Sequence, residues 1–137
     1  PPWEDDDTQG AESVERDPDT DDMFGAPAAS EPEAIEVANI NGKHYAFIGL
    51  ERHGGIMVYD VTDPKESRFI SYLNNRDFSQ PVCTQVDEDG DCDNDTYNPK
   101  AGDLGPESIK YFSRSGQHFI AVGNEVSGTT SVFQIEF

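Results

Sequence analysis

Four glutamates and five aspartates are the side chains of this chain best suited to chemistry. Glu33 and Glu107 each follow a proline, Glu51 and Glu125 each lie eighteen residues further on, and the pair Glu107/Glu125 stands 74 residues after the pair Glu33/Glu51. Asp87, Asp89, Asp91, Asp93 and Asp95 alternate along one segment in which Gly90 permits a sharp bend. Oxygen ligands gathered in these ways suit a hard cation. Ca²⁺ takes about six to eight of them at loose geometry, whereas Mg²⁺ demands a stricter octahedron.

The aspartate segment is not an EF-hand. Counted from Asp87, glycine falls at the fourth place instead of the sixth, and Asn98 stands at the twelfth, where that motif needs Glu. Two readings stay open: a loop that wraps calcium or another divalent cation, and an acidic surface loop that only repels and solvates. Cys83 and Cys92, the two cysteines of the chain, bracket the first half of the acid run. A disulfide closing a small loop is favoured, as in oxidising compartments. Two free thiols or half of a soft-metal site are the alternatives, but no His lies nearby and zinc would want two more ligands.

The elements that must position these groups come from a repeat. Residues 31–61 and 105–135 align without a gap at an offset of 74, sharing Pro32/Pro106, Glu33/Glu107, Ile35/Ile109, Gly42/Gly116, His44/His118, Gly49/Gly123, Glu51/Glu125, Gly54/Gly128 and Val58/Val132. In the first copy the apolar runs Ile35–Ile40, Tyr45–Leu50, Ile56–Val61 and Arg68–Leu73 read as strands. Asn41-Gly42 is a hairpin signal, because both central residues of a tight turn need positive φ. Gly54-Gly55 and Thr62-Asp63-Pro64 mark the next reversals. The second copy predicts strands at Ile109–Phe112, His118–Val122 and Thr130–Ile135, without a fourth. The expected fold is all-β: a β-propeller fragment of about two four-stranded antiparallel blades, the last lacking its outer strand. The expected divisions are an acidic irregular segment or blade connection at 1–30, a blade at 31–77, an acidic disulfide-closed insert at 78–104 and an incomplete blade at 105–137. A start at Pro1-Pro2 without Met is expected of a processed or partial product.

In a meander blade the start of the first strand and the loop after the second lie on one face. Glu33, Glu51, Glu107 and Glu125 are therefore expected to converge near the central channel, with the 78–104 insert opening onto the same side. Repetition of these glutamates would also follow if Pro-Glu and the Glu turn only close the blade. His44 and His118 fall at the opposite end and read as structural partners. Arg52 and His53 follow Glu51 without counterparts in the second copy, which makes them candidates for anion or phosphate contact.

Charge narrows the partners. The chain has 9 basic and 28 acidic residues, a net charge of −19. Residues 1–30 hold ten Asp and Glu against one Arg, and residues 78–100 hold six against one Lys, so the acid is concentrated outside the repeats. This balance argues against nucleic acid and anionic membrane surfaces as partners, since both attract clustered Lys and Arg. No apolar run reaches membrane-spanning length. The first 30 residues have the polarity of a disordered linker, yet Trp3 and Met23-Phe24 are anchors that would suit a docked connection.

The runs H-Y-A-F-I-G-L-E-R-H-G-G-I-M-V-Y-D-V-T-D-P, D-L-G-P-E-S-I and G-N-E-V-S-G-T-T-S-V-F-Q-I resemble the C-terminal blades of the choice-of-anchor I propeller family. That family includes mesenchyme-specific cell-surface glycoproteins linked with biomineralisation, and bacterial proteins described as atypical alkaline phosphatases or phytase-like esterases. The resemblance covers residues 31–77 and 103–137. It implies a protein that is secreted, periplasmic or on the cell surface, a link to calcium or phosphoester chemistry, and the remaining blades, in the same polypeptide or a companion chain, as partners. The family commonly has Pro-Glu-Gly where this chain has Pro-Glu-Ala and Pro-Glu-Ser, so the glutamates carry over and the glycine does not. Two functions follow as expectations: a metal-dependent phosphoester hydrolase using cations held by the four glutamates, or a non-catalytic adhesive or mineral-associated calcium-binding protein. No serine sits in a nucleophile-elbow or Ser-Lys pattern.

Overall fold

The computed structural model describes residues 31–85, 88, 92, 93 and 96–137. The 1–30 segment, and Asp87, Asp89, Asp91 and Asp95 with Gly90, lie outside the described residues. Among the described residues seven strands form two antiparallel sheets. The first has the order β1 (Pro32–Ile40), β2 (Lys43–Leu50), β3 (Ile56–Asp60), β4 (Arg68–Leu73), and the second β5 (Pro106–Arg114), β6 (Gln117–Asn124), β7 (Thr129–Ile135). Each is a meander of sequence neighbours, with four strands in the first copy of the repeat and three in the second. Neither sheet closes on itself among the described residues.

Turn chemistry explains the hairpins. Asn41 and Gly42 have φ of 55° and 85°, and the equivalent Ser115 and Gly116 have 52° and 76°. Both pairs supply the two left-handed residues that match the right-handed twist of the flanking strands. Between β3 and β4 the Asp63 side chain accepts from the Lys65 amide and starts a short 3-10 turn at Pro64–Glu66.

Alternation along the strands sends one face of each sheet into a shared core. From the first sheet come Ala34, Ala38, Ile40, Tyr45, Phe47, Ile56 and Val58, and from the second Ile109, Ile120 and Val122, with Tyr111, Phe133 and Ile135 packed against them. Phe47 is only 1% exposed. Loss of a ring buried to this degree costs about 3–5 kcal/mol. The edge strands β1 and β5 face each other, and the Tyr111 amide on β5 donates to Glu36 Oε2 at 3.1 Å. A backbone donor left over by the sheet is thus satisfied across the junction.

The join between the sheets also carries a polar cluster. Asp103, just ahead of β5, accepts from Asn75 beyond β4 and from Thr129 and Ser131 on β7. Burial raises its pKa, but these three donors outweigh that and hold it below the usual carboxylate value.

Cys83 and Cys92 form a disulfide, with Cα atoms 5.2 Å apart. It sits in a small hairpin-like insert where Cys83 bridges Tyr97, the Thr84 amide donates to Thr96 O at 2.8 Å and the Asn98 amide to Val82 O at 2.9 Å. No helix among the described residues is long and apolar enough to cross a membrane.

Candidate carboxylate site

The same backbone device builds the site twice. Pro32 pairs with Leu50 and Ala34 with Gly49, so Glu33 is an extra residue in β1; Pro106 pairs with Asn124 and Ser108 with Gly123, so Glu107 is the extra residue in β5. A bulge of this kind breaks the strict alternation and re-aims one side chain. Proline immediately before it costs little, because the first residue of a strand need not donate to the ladder. Across from each bulge the chain leaves the second strand through Glu51 or Glu125. Their amides donate to Glu31 O at 2.9 Å and to Gly105 O at 2.7 Å, which ties the exit of one strand to the start of the other.

The glutamates consequently meet at one end of the two sheets. Carboxylate oxygens of Glu31, Glu33 and Glu51 lie within 4.8 Å of one another, and so do those of Glu51, Glu107 and Glu125. Glu51 is common to both trios and links the first sheet to the second. Two oxygens bound to one Ca²⁺ at about 2.4 Å can be no more than about 4.8 Å apart, so the spacing within each trio meets the first requirement for a shared ion. The groups are half-buried or exposed, which leaves room for water to complete the coordination.

Electrostatics report the crowding. Burial, then the neighbouring Glu31, Glu33 and Glu125, raise the pKa of Glu51, with Arg52 opposing. Glu107 is raised chiefly by its hydrogen bond with Glu125 and further by the surrounding carboxylates. Like charges held this close favour the protonated form unless a cation intervenes.

Glu31 belongs to this site and was not among the residues singled out from sequence. Its repeat counterpart is Gly105, so the repeat carries no carboxylate signal there. Its backbone has φ 30°, where Gly105 has 72°, so Glu31 occupies a left-handed position that favours glycine. Its carboxylate receives Arg52 Nε at 3.1 Å.

The other sequence candidates fall as follows. Arg52 borders the cluster through Glu31, while the His53 ring packs against Phe78 at 5.1 Å between centroids. The Arg76 guanidinium holds this loop from behind, donating to the carbonyls of Arg52 at 2.9 Å and His53 at 3.1 Å. At the opposite end of the sheets His44 lies 3.5 Å from Asn39, and His118 Nδ1 is 2.7 Å from the Tyr111 hydroxyl. Both are partners in the sheet framework. Of the alternating aspartates, Asp93 is within the described residues, its amide donating to Gln85 O at 3.0 Å.

No curated protein matches the chain at a significant level. The family model of the choice-of-anchor I domain matches residues 12–64, which take in β1 to β3 and the Glu31, Glu33 and Glu51 trio, and this supports the choice-of-anchor I resemblance read from the sequence.

Proposed function

We propose that this chain is a calcium-binding part of a surface-associated β-propeller, with cations held where consecutive blades meet. The observation that carries the reading is the convergence of two carboxylate trios on Glu51. Oxygen-only ligation favours a hard cation over zinc or copper, and the loose spacing suits Ca²⁺ better than Mg²⁺. An extracellular setting, with abundant Ca²⁺ and an oxidising potential, agrees with the Cys83–Cys92 disulfide and with the choice-of-anchor I match. The Asp87–Asp95 loop is a second candidate ligand set in the same reading.

Thermal unfolding tests it. Calcium added to chelator-treated protein should raise Tm progressively, since a ligand at a hundred times its Kd stabilises by about 2.7 kcal/mol. Glu51→Gln should remove most of that shift. An unchanged Tm in the parent protein overturns the reading.

Arg52 beside the cluster favours a second reading, phosphoester hydrolysis, in which a cation polarises a phosphoryl oxygen and the guanidinium orients the anion. Phosphomonoesterase and phosphodiesterase assays with and without chelator separate the two. Chelator-sensitive turnover that falls in Arg52→Ala supports the hydrolase; none supports a binding role alone.

A further inference from the structure

The contact between the two sheets is head to tail, and among the described residues one half of the same contact stays open on the outer face of each sheet. At the offset of 74, the core-facing residues of the first sheet (Ala34, Ala38, Phe47, Gly49, Val58) correspond to Ser108, Phe112, Ala121, Gly123 and Val132 of the second. By register those residues lie on the face of the second sheet turned away from the first. Phe112 and Val132 there are 38% and 58% exposed. Conversely, buried Ile109 and half-buried Tyr111 correspond to Ile35 and Val37, which are 67% and 50% exposed on the outer face of the first sheet.

The seat at the glutamate end shows what fits. A Cβ at Gly49 would lie 3.2 Å from both Cβ and O of Pro106, so Pro106 of the second sheet rests directly on this glycine. At Gly123 the corresponding place is a shallow, open surface lined by Glu107, Ser108, Glu125, Thr129 and Thr130. Among the described residues, only the second sheet's own Ser108 comes within 4 Å of a Cβ built there.

We propose that this open face is the seat for the first sheet of a second copy of the chain, entering with its Pro32-Glu33 bulge as Pro106-Glu107 enters on Gly49. Both halves of the contact are present on one polypeptide, and a heterologous contact of this sort propagates from copy to copy until rotation closes a ring. The second copy's Glu33 and Glu51 then stand beside Glu125 as Glu107 and Glu125 stand beside Glu51. Each junction thus assembles a carboxylate trio of its own. A gain in cation binding on assembly rests on the calcium reading; the assembly itself does not.

Sedimentation velocity in chelator, over a wide concentration range, tests the contact independently of any metal. The parent chain should associate as concentration rises. Val37→Glu and Val132→Glu, each at an exposed site on one of the two faces, should each stay monomeric. Mixed together they should form a 1:1 dimer and stop there, because one retains the seat and the other the face that fills it; circular dichroism of each variant checks that the sheets are intact. A parent that remains monomeric at its highest soluble concentration overturns the proposal, as does a folded variant that associates like the parent or a mixture that stays monomeric.

Discussion

Lys110 Nζ stands 3.6 Å from Glu36 Oε2, and the two residues occupy the same position in the two copies of the repeat. One position thus carries opposite charges in consecutive units and joins them across the sheet-to-sheet contact. The lysine is largely exposed, so the ion pair adds little. The larger part of Glu36's role is to accept the Tyr111 amide.

Glu36→Ala is therefore expected to cost about 1–3 kcal/mol, since it leaves a partly buried amide without its partner. Lys110→Ala should change stability by less than about 1 kcal/mol. Urea unfolding of both variants gives the comparison; equal losses would assign the junction to the ion pair instead.

Gly49 and Gly123 share a position but not an environment. An alanine at Gly49 meets Ala34 Cβ at 3.1 Å and the Pro106 backbone oxygen at 3.2 Å, whereas at Gly123 it meets only the Ser108 hydroxyl, which can rotate away. Gly49→Ala should destabilise by about 1–3 kcal/mol, the usual cost of overpacking. Gly123→Ala should cost clearly less. A reversed order in denaturant midpoints would mean that the sheets do not approach through Pro106.

Much of this fold was legible in the sequence because its signals were local. Asn41-Gly42, Gly54-Gly55 and the period-two runs place the strands to within a few residues, and the 74-residue offset pairs the glutamates before any coordinates. The strands run further than the apolar pattern at their glutamate end, starting at Pro32 and Pro106, because a bulge continues the ladder through residues that do not alternate. Glu31 escaped notice because its counterpart is Gly105, and Asp103 because its role depends on Asn75, Thr129 and Ser131, brought together only by packing. The sharing of Glu51 by two trios is likewise a property of the contact between sheets, which a strand pattern does not encode.

Glu31→Gly should separate strain from ligation. Glycine accepts the left-handed backbone at that position, so the substitution is expected to stabilise the cation-free protein by up to about 1 kcal/mol. The same change removes one carboxylate and the Arg52 partner, and should weaken calcium binding. Thermal melts in chelator and in calcium should therefore move in opposite directions; parallel shifts would remove Glu31 from the site.

The pH dependence of Glu51 has a definite sign. Its pKa is raised in the folded state, so the folded protein holds that proton more tightly than the unfolded chain, and stability from this group is lost as pH rises through its folded-state pKa. In chelator, Glu51→Gln should be more stable than the parent at neutral pH, by up to about 1 kcal/mol. The advantage should vanish once pH falls below the ordinary value of 4.5. A pH-independent difference in unfolding free energy would show that Glu51 does not feel its neighbours.

Isothermal titration of chelator-treated protein decides whether the glutamates that converge on Glu51 bind calcium. Three proteins suffice: the parent, Glu51→Gln, and a loop variant carrying Asp89→Ala with Asp91→Ala. Saturable Ca²⁺ binding is expected in the parent, with affinity clearly reduced in Glu51→Gln by loss of a ligand common to both trios and most of the binding retained in the loop variant. Absence of binding in the parent, or binding that survives Glu51→Gln intact and disappears with the loop aspartates, would contradict it.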